Sequence, residues 1–148
     1  MDGRMKERSR ARGWALQTLF AWETRGMVDA PARVFRQLQS ERRIAESRVP
    51  YATQLLTELG DHVQQVDEQV QKALSNWRLE RLSVIDRNIL RLATAEMMFM
   101  DDVPPRVSIQ EAILLAEKYG TVDSPRFVNG VLDALMRGLD GNAKRERS

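Results

Sequence analysis

An all-α fold is predicted by three features of the chain. Apolar residues recur at three- and four-residue spacing almost throughout, no segment sustains the two-residue alternation of a half-buried strand, and prolines or capping residues fall between the apolar stripes. At 148 residues the chain suffices for one domain that buries roughly two-thirds of its unfolded surface. No internal repeat or second-domain boundary interrupts it.

In the first helix Ala11, Trp14, Ala15, Thr18, Leu19 and Trp22 share one face, with Arg8 and Arg12, four apart, on another. Gly13 costs that helix about 1 kcal/mol relative to alanine. A shorter helix follows Pro31 and carries Val34, Phe35 and Leu38. Pro50 opens a long third helix with Leu55, Leu59, Val63, Val66, Val70 and Ala73 on its apolar side. Residues 76–82 form a turn or short helix that holds Trp77 in the core, as helix one holds Trp22.

Ser83 caps the next helix, which buries Ile85, Ile89, Leu92, Ala93 and Met97 and ends at Pro104 and Pro105. Ser108 and Glu111 form a capping box for a helix that buries Ile109, Ala112, Ile113 and Ala116 and stops at Gly120. Ser124 and Pro125 start the last helix, with Phe127, Val128, Val131, Leu132 and Leu135 inside. A domain over 7–138 is therefore expected, entered by a basic arm over 1–12 and followed by a disordered polar tail over 139–148.

Positive charge is concentrated at the two ends. Residues 1–12 carry Arg4, Lys6, Arg8, Arg10 and Arg12 against Asp2 and Glu7; residues 137–148 carry four cations against Asp140 and Glu146, leaving 14 cations and 17 acids between. The net charge of +2 therefore hides one basic face. A basic arm that runs directly into a buried helix holds its charges in fixed places, which suits gripping a polyanion.

Composition argues against other classes. There is no cysteine, which excludes disulfides and thiolate chemistry and fits a reducing compartment. The longest apolar run, residues 112–116, is far below the roughly 20 residues that span a bilayer, and the Arg-rich start lacks a signal-peptide core. A cytoplasmic protein with no membrane segment is expected. The single histidine, His62, has no partner at metal-ligand spacing and reads as a surface residue. Asp101 and Asp102 read as helix-end solvation. No catalytic residue, metal or cofactor is expected.

Binding features are stronger. Lys118, Tyr119 and the start of the last helix at Ser124, Pro125, Arg126 and Phe127 lie within ten residues. Free amides at a helix N-terminus attract anions, and Arg126 adds a fork suited to phosphate. Phe127 is either a stacking surface for an unpaired base or the first core residue of its helix. Phe20, about 80° around the helix from Arg12, either borders the basic face or packs inside.

Several blocks resemble the bacterial NusB family. They are the arm followed by Ala15, Leu16, Gln17, Thr18, Leu19 and Phe20; the run from Ile85, Asp86 and Arg87 to Ala93; Pro104 to Ala116; and Ser124 to Asp133, with the stretch from Phe127 the most specific. They occur in the family's order and span nearly the whole chain.

The resemblance implies about seven helices in two small bundles and a role in transcription antitermination rather than catalysis. It implies binding of boxA single-stranded RNA in ribosomal RNA leader transcripts together with NusE, a small-subunit ribosomal protein, and action on RNA polymerase for terminator read-through. It further implies that Arg8, Arg10 and Arg12 form an RNA-binding motif, that Phe20 stands where tyrosine is usual, that Asp123 and Phe127 edge the RNA surface, and that Asp86 faces NusE. Gln110 in place of asparagine, and Ala95 and Met97 around Glu96, depart from the family pattern.

The RNA-binding residues expected from all these signals are Arg8, Arg10, Arg12, Phe20, Lys118, Asp123, Ser124, Arg126 and Phe127. Two alternatives stand beside this reading. One is a protein-interaction module or homodimer with a masked RNA face, and the other a stand-alone relative of the RNA-targeting domain of ribosomal RNA cytosine methyltransferases.

Overall fold

The computed structural model describes residues 3–147, with side chains described through Asp140. The helices are α1 (Gly3–Thr24), α2 (Pro31–Glu41), α3 (Val49–Asp61), α4 (Val63–Leu74), α5 (Val84–Phe99), α6 (Pro105–Tyr119) and α7 (Ser124–Arg147), with short 3-10 turns at Glu46–Arg48 and Leu79–Arg81. No strand occurs among the described residues. Helices α1 to α3 pack on one another, as do α4 to α7, and α5 touches helices of both groups. This is the expected all-α fold in two small bundles.

The stripes become the core. Leu19, Leu55, Leu59, Ile89, Leu90 and Leu132 are fully buried, each contributing roughly 1.5–3 kcal/mol. Within it lies a charged layer that periodicity gave no reason to expect. Glu23 of α1 accepts hydrogen bonds from Arg87, from Asn88 Nδ2 (2.7 Å) and from Arg91 Nη1 (3.1 Å), and Arg91 also binds both oxygens of Asp67 on α4 (2.8 and 3.1 Å). Burial pushes the Glu23 carboxyl up, but Arg87, Asn88 and Arg91 hold it below its usual value.

The single helix expected after Pro50 is two. At His62 (φ −132°, ψ 28°) the backbone amide bonds Leu59 O, while Glu58 O takes the imidazole Nδ1 instead (2.9 Å). His62 stacks on Phe99 with ring centroids 4.1 Å apart. The break lets α3 pack against α1 and α2 while α4 reaches α7. Trp77 is also not in the core: it is 63% exposed, and Leu79 fills the inner position. Ser75 turns the chain at φ 60°, and the Gln71 amide braces the loop by donating to Trp77 O (2.7 Å) and accepting from Leu79 N (3.0 Å).

Ser83 does cap α5, accepting from Asp86 N at 3.1 Å. Ser108 does not cap α6, because the helix already starts at Pro105, where a missing donor costs nothing. Its hydroxyl instead donates to Glu96 Oε1 (2.7 Å) in the interior. Ser124 closes the turn before α7, accepting from Thr121 N (3.0 Å), and Asp123 O receives the Phe127 amide (3.1 Å).

Gly120 ends α6 by bonding Ala116 O, and a Cβ there would lie 2.5 Å from Ser124 Oγ. Gly120→Ala will therefore lower stability by about 1–3 kcal/mol in urea denaturation, the usual cost of overpacking. Beyond Gly138, α7 continues to Arg147 where a disordered tail was expected. Ala143, Lys144, Arg145, Glu146 and Arg147 are sound helix formers with no proline among them.

Candidate nucleic-acid interface

Helix geometry splits the basic arm into two flanks. Arg4, Arg8 and Arg12 follow one another at i, i+4 and i+8, while Lys6 and Arg10 lie about 200° round from Arg8 and Arg12 respectively. The first flank faces carboxylates. Arg4 and Arg8 both donate to Asp102 Oδ2 (3.1 and 2.7 Å), and the Arg8 guanidinium lies 4.4 Å from the Tyr51 ring centre. Asp102 is thus an anchor for the arm and not merely a solvated helix end.

Arg12 is buried, which corrects the expectation of a surface cation. Its Nε donates to Glu96 Oε2 (2.7 Å), and its Nη1 lies 3.5 Å from Glu111 Oε1. Tyr51 Oη (2.5 Å) and Ser108 Oγ (2.7 Å) also donate to Glu96, which joins α1, α3, α5 and α6 at one buried point. Burial works against the charge on Arg12, but Glu96 outweighs it and the guanidinium holds its proton more firmly than usual. Burial, reinforced by Glu96, pushes the Tyr51 phenol up.

Asp102 is held below its ordinary value of 3.8, mainly by the hydrogen bond from Arg8. A depressed carboxyl contributes stability fully above its unfolded pKa, and that contribution disappears as pH falls through the lower folded value. An NMR titration of the Asp102 carboxyl carbon will show its inflection below 3.8. An inflection at or above that value would mean the arm is not tethered there.

The second flank lines a cleft of about 450 Å³ against α6. Arg10, Trp14 and Gln17 form one wall, Lys118, Tyr119 and Glu111 the other, with Arg48 also contributing, and Glu111 accepts a hydrogen bond from Ser9 Oγ at 2.6 Å. Gln17 Nε2 donates to Tyr119 Oη at 3.3 Å, and both residues also line an adjoining groove with Phe20, Leu38, Ile85 and Arg42. Phe20 is 46% exposed in that groove, so it borders the basic side instead of packing inside. Arg10, Lys118, Arg42 and Arg126 make no ion pair among the described residues. Arg48 is engaged by Glu7, whose carboxyl is lowered by Ser47 and Arg48.

The structure therefore brings Arg10, Lys118 and Phe20 onto one continuous surface and sends Arg8 and Arg12 to the opposite flank. Asp123 and Arg126 are exposed and Phe127 is half-buried at the α6–α7 junction, immediately beyond Tyr119 in the chain. Ser124 is buried and spends its hydroxyl within the turn, so its side chain is not presented to solvent. Asp86 sits half-buried in the first turn of α5, its Oδ1 enclosed without a hydrogen-bond partner. Sequence reasoning set Tyr119 beside Lys118 among the binding features, but it missed Arg42 and Arg48 and put Trp14 on the buried face of α1. Their lone signal was aromatic or basic character at scattered positions.

The family model for the NusB family matches residues 9–137. The chain belongs to the NusB family. A transcription antitermination protein NusB of Sorangium cellulosum is 41% identical over 97% of this chain and all of its own length. That of Chloroherpeton thalassium is 38% identical over 86% of this chain, which spans 60% of that longer relative. A solved structure of the antitermination factors NusB and NusE in complex with double-stranded RNA superposes with a TM-score of 0.78, at 29% identity, covering 93% of this chain and 99% of that one. The NusB match includes Arg10, Phe20, Lys118 and Phe127 but begins after Arg8. Among the described residues no helix is long and apolar enough to cross a membrane, and no group of three or more His, Cys, Asp or Glu could hold a metal ion.

Proposed function

We propose that the chain is a transcription antitermination factor of the cytoplasm that binds boxA-containing single-stranded RNA of ribosomal RNA leaders together with NusE. The assembly acts on RNA polymerase so that it reads through terminators, and the chain itself makes and breaks no covalent bond. The observation that carries this reading is the cleft in which Arg10 and Lys118, neither in an ion pair among the described residues, flank Tyr119 and lead to the exposed ring of Phe20, while Glu111 in the same cleft is engaged by Ser9 and Arg12. Cations that track phosphates beside aromatic faces are the usual means of holding unpaired RNA.

In this reading Arg10 and Lys118 take phosphates, Phe20 and Phe127 offer ring faces, and Arg126 adds a guanidinium fork at the start of α7 beside Asp123. Arg8 assists from its own flank, while Arg12 and Ser124 act by positioning α1 and the α6–α7 turn. Asp86, half-buried in the first turn of α5, stands on the face proposed to meet NusE. The likeness to a solved assembly of NusB and NusE with double-stranded RNA supports NusE and an RNA as partners.

A titration of boxA RNA against a scrambled control, with and without NusE, tests the reading. BoxA should bind more tightly than the control, and NusE should tighten it further by adding phosphate contacts. Equal binding of both RNAs under both conditions would overturn it.

A further inference from the structure

We propose that the RNA path continues past Phe20 into the groove between α1, α2 and the start of α5, where Arg42 takes one further phosphate and one unpaired base lies against Phe20 and Leu38. This rests on the function proposed above and adds a binding element on α2.

The groove measures about 330 Å³, within the roughly 300–1,000 Å³ of small-ligand sites. Its floor is apolar. Leu38 and Ile85 flank the ring of Phe20, which stays 46% exposed although Leu16 and Leu19 beside it are buried. A half-exposed aromatic over an apolar floor favours a flat partner that stacks.

The rim carries charge. Arg42 is the C-cap of α2, its amide bonded to Leu38 O at 2.9 Å, so the main chain beneath it is held in place. Its guanidinium makes no ion pair among the described residues, and Arg43 beside it is also exposed. The C-terminal end of a helix disfavours an anion by a fraction of a full charge, and two adjacent cations outweigh that. Continuity supplies the direction: Gln17 and Tyr119 line both this groove and the Arg10–Lys118 cleft, so a strand leaving one enters the other. An apolar peptide would cover the floor and leave Arg42 without a counter-charge, whereas a nucleotide satisfies both.

The test is the salt dependence of boxA RNA binding for Arg42→Ala, Arg42→Lys and Arg10→Ala/Lys118→Ala. Arg42 is exposed, so folding is not at stake. Arg42→Ala should flatten the log–log salt slope by about 0.7, the value of one single-strand phosphate contact, and Arg42→Lys should restore it. An unchanged slope for Arg42→Ala, alongside a flattened one for Arg10→Ala/Lys118→Ala, overturns the extension and leaves the proposed function standing. Unchanged slopes for both overturn the proposed function itself. Arg42→Ala that weakens NusE binding and not RNA binding makes the groove a protein surface, and also overturns the extension.

Discussion

Glu96→Gln will destabilise the fold by about 3 kcal/mol, toward the lower end of the 3–5 kcal/mol typical of breaking a buried ion pair. The carboxylate is 1% exposed and receives Arg12, Tyr51 and Ser108. Replacing it by a neutral amide leaves the Arg12 guanidinium without its main counter-charge in the interior, where water cannot compensate. Glu111, 3.5 Å from Arg12 Nη1, softens the loss and keeps it from the top of the range. Urea denaturation should show a lower midpoint with an unchanged slope. The double variant Arg12→Met/Glu96→Gln should recover much of the loss, since a buried pair replaced by apolar volume is often close to neutral. A single variant within about 0.5 kcal/mol of the parent would mean that Arg12 finds water or another acid, and that the buried junction is not what holds α1 in place.

That junction decides which arginines remain for a ligand. The second large effect is on RNA binding: Arg10→Ala/Lys118→Ala should remove two phosphate contacts and leave stability nearly unchanged, because both side chains are exposed and make no ion pair among the described residues. With about 0.7 per contact, the parent protein should lose ~7-fold more affinity than the double variant as salt rises from about 50 to 200 mM. Arg12, two residues on and about 200° round the helix, is buried and offers no such contact. The contrast between Arg10 and Arg12 lies in what each faces, for the two carry the same charge.

Helix content and most buried positions were legible because they rest on local periodicity. Val34, Phe35 and Leu38 of α2, and Val128, Leu132 and Leu135 of α7, are buried as their spacing predicts. Prolines marked the starts of α2 and α7. What was not legible depends on residues far apart in the chain. Arg8 meets Asp102 across 94 positions and Arg12 meets Glu96 across 84, so the arm read as uniformly available. Ser108 matched a capping box, yet Pro105 had already started the helix and the hydroxyl was drawn to Glu96. The break at His62 follows from where α3 and α4 must pack, while Val63 and Val66 continue the stripe as though no break were present. Trp77 was assigned to the core by size and spacing, but the positive φ at Ser75 turns it outward.

For the candidate site, Arg10, Lys118 and Phe20 were legible as residue types in a known order. Their joining through Gln17 and Tyr119 required the α1–α6 packing, and Arg42 required α2 to be laid beside α1. Charge counting located a basic end; it could not separate cations already spent on carboxylates from those still open.

The most direct measurement is the slope of log binding constant against log salt for boxA RNA, taken on the parent protein and on Arg10→Ala/Lys118→Ala. A slope flatter by about 1.4 in the variant is expected if the unpaired cations hold the phosphates. Identical slopes would contradict the assignment of RNA binding to this cleft.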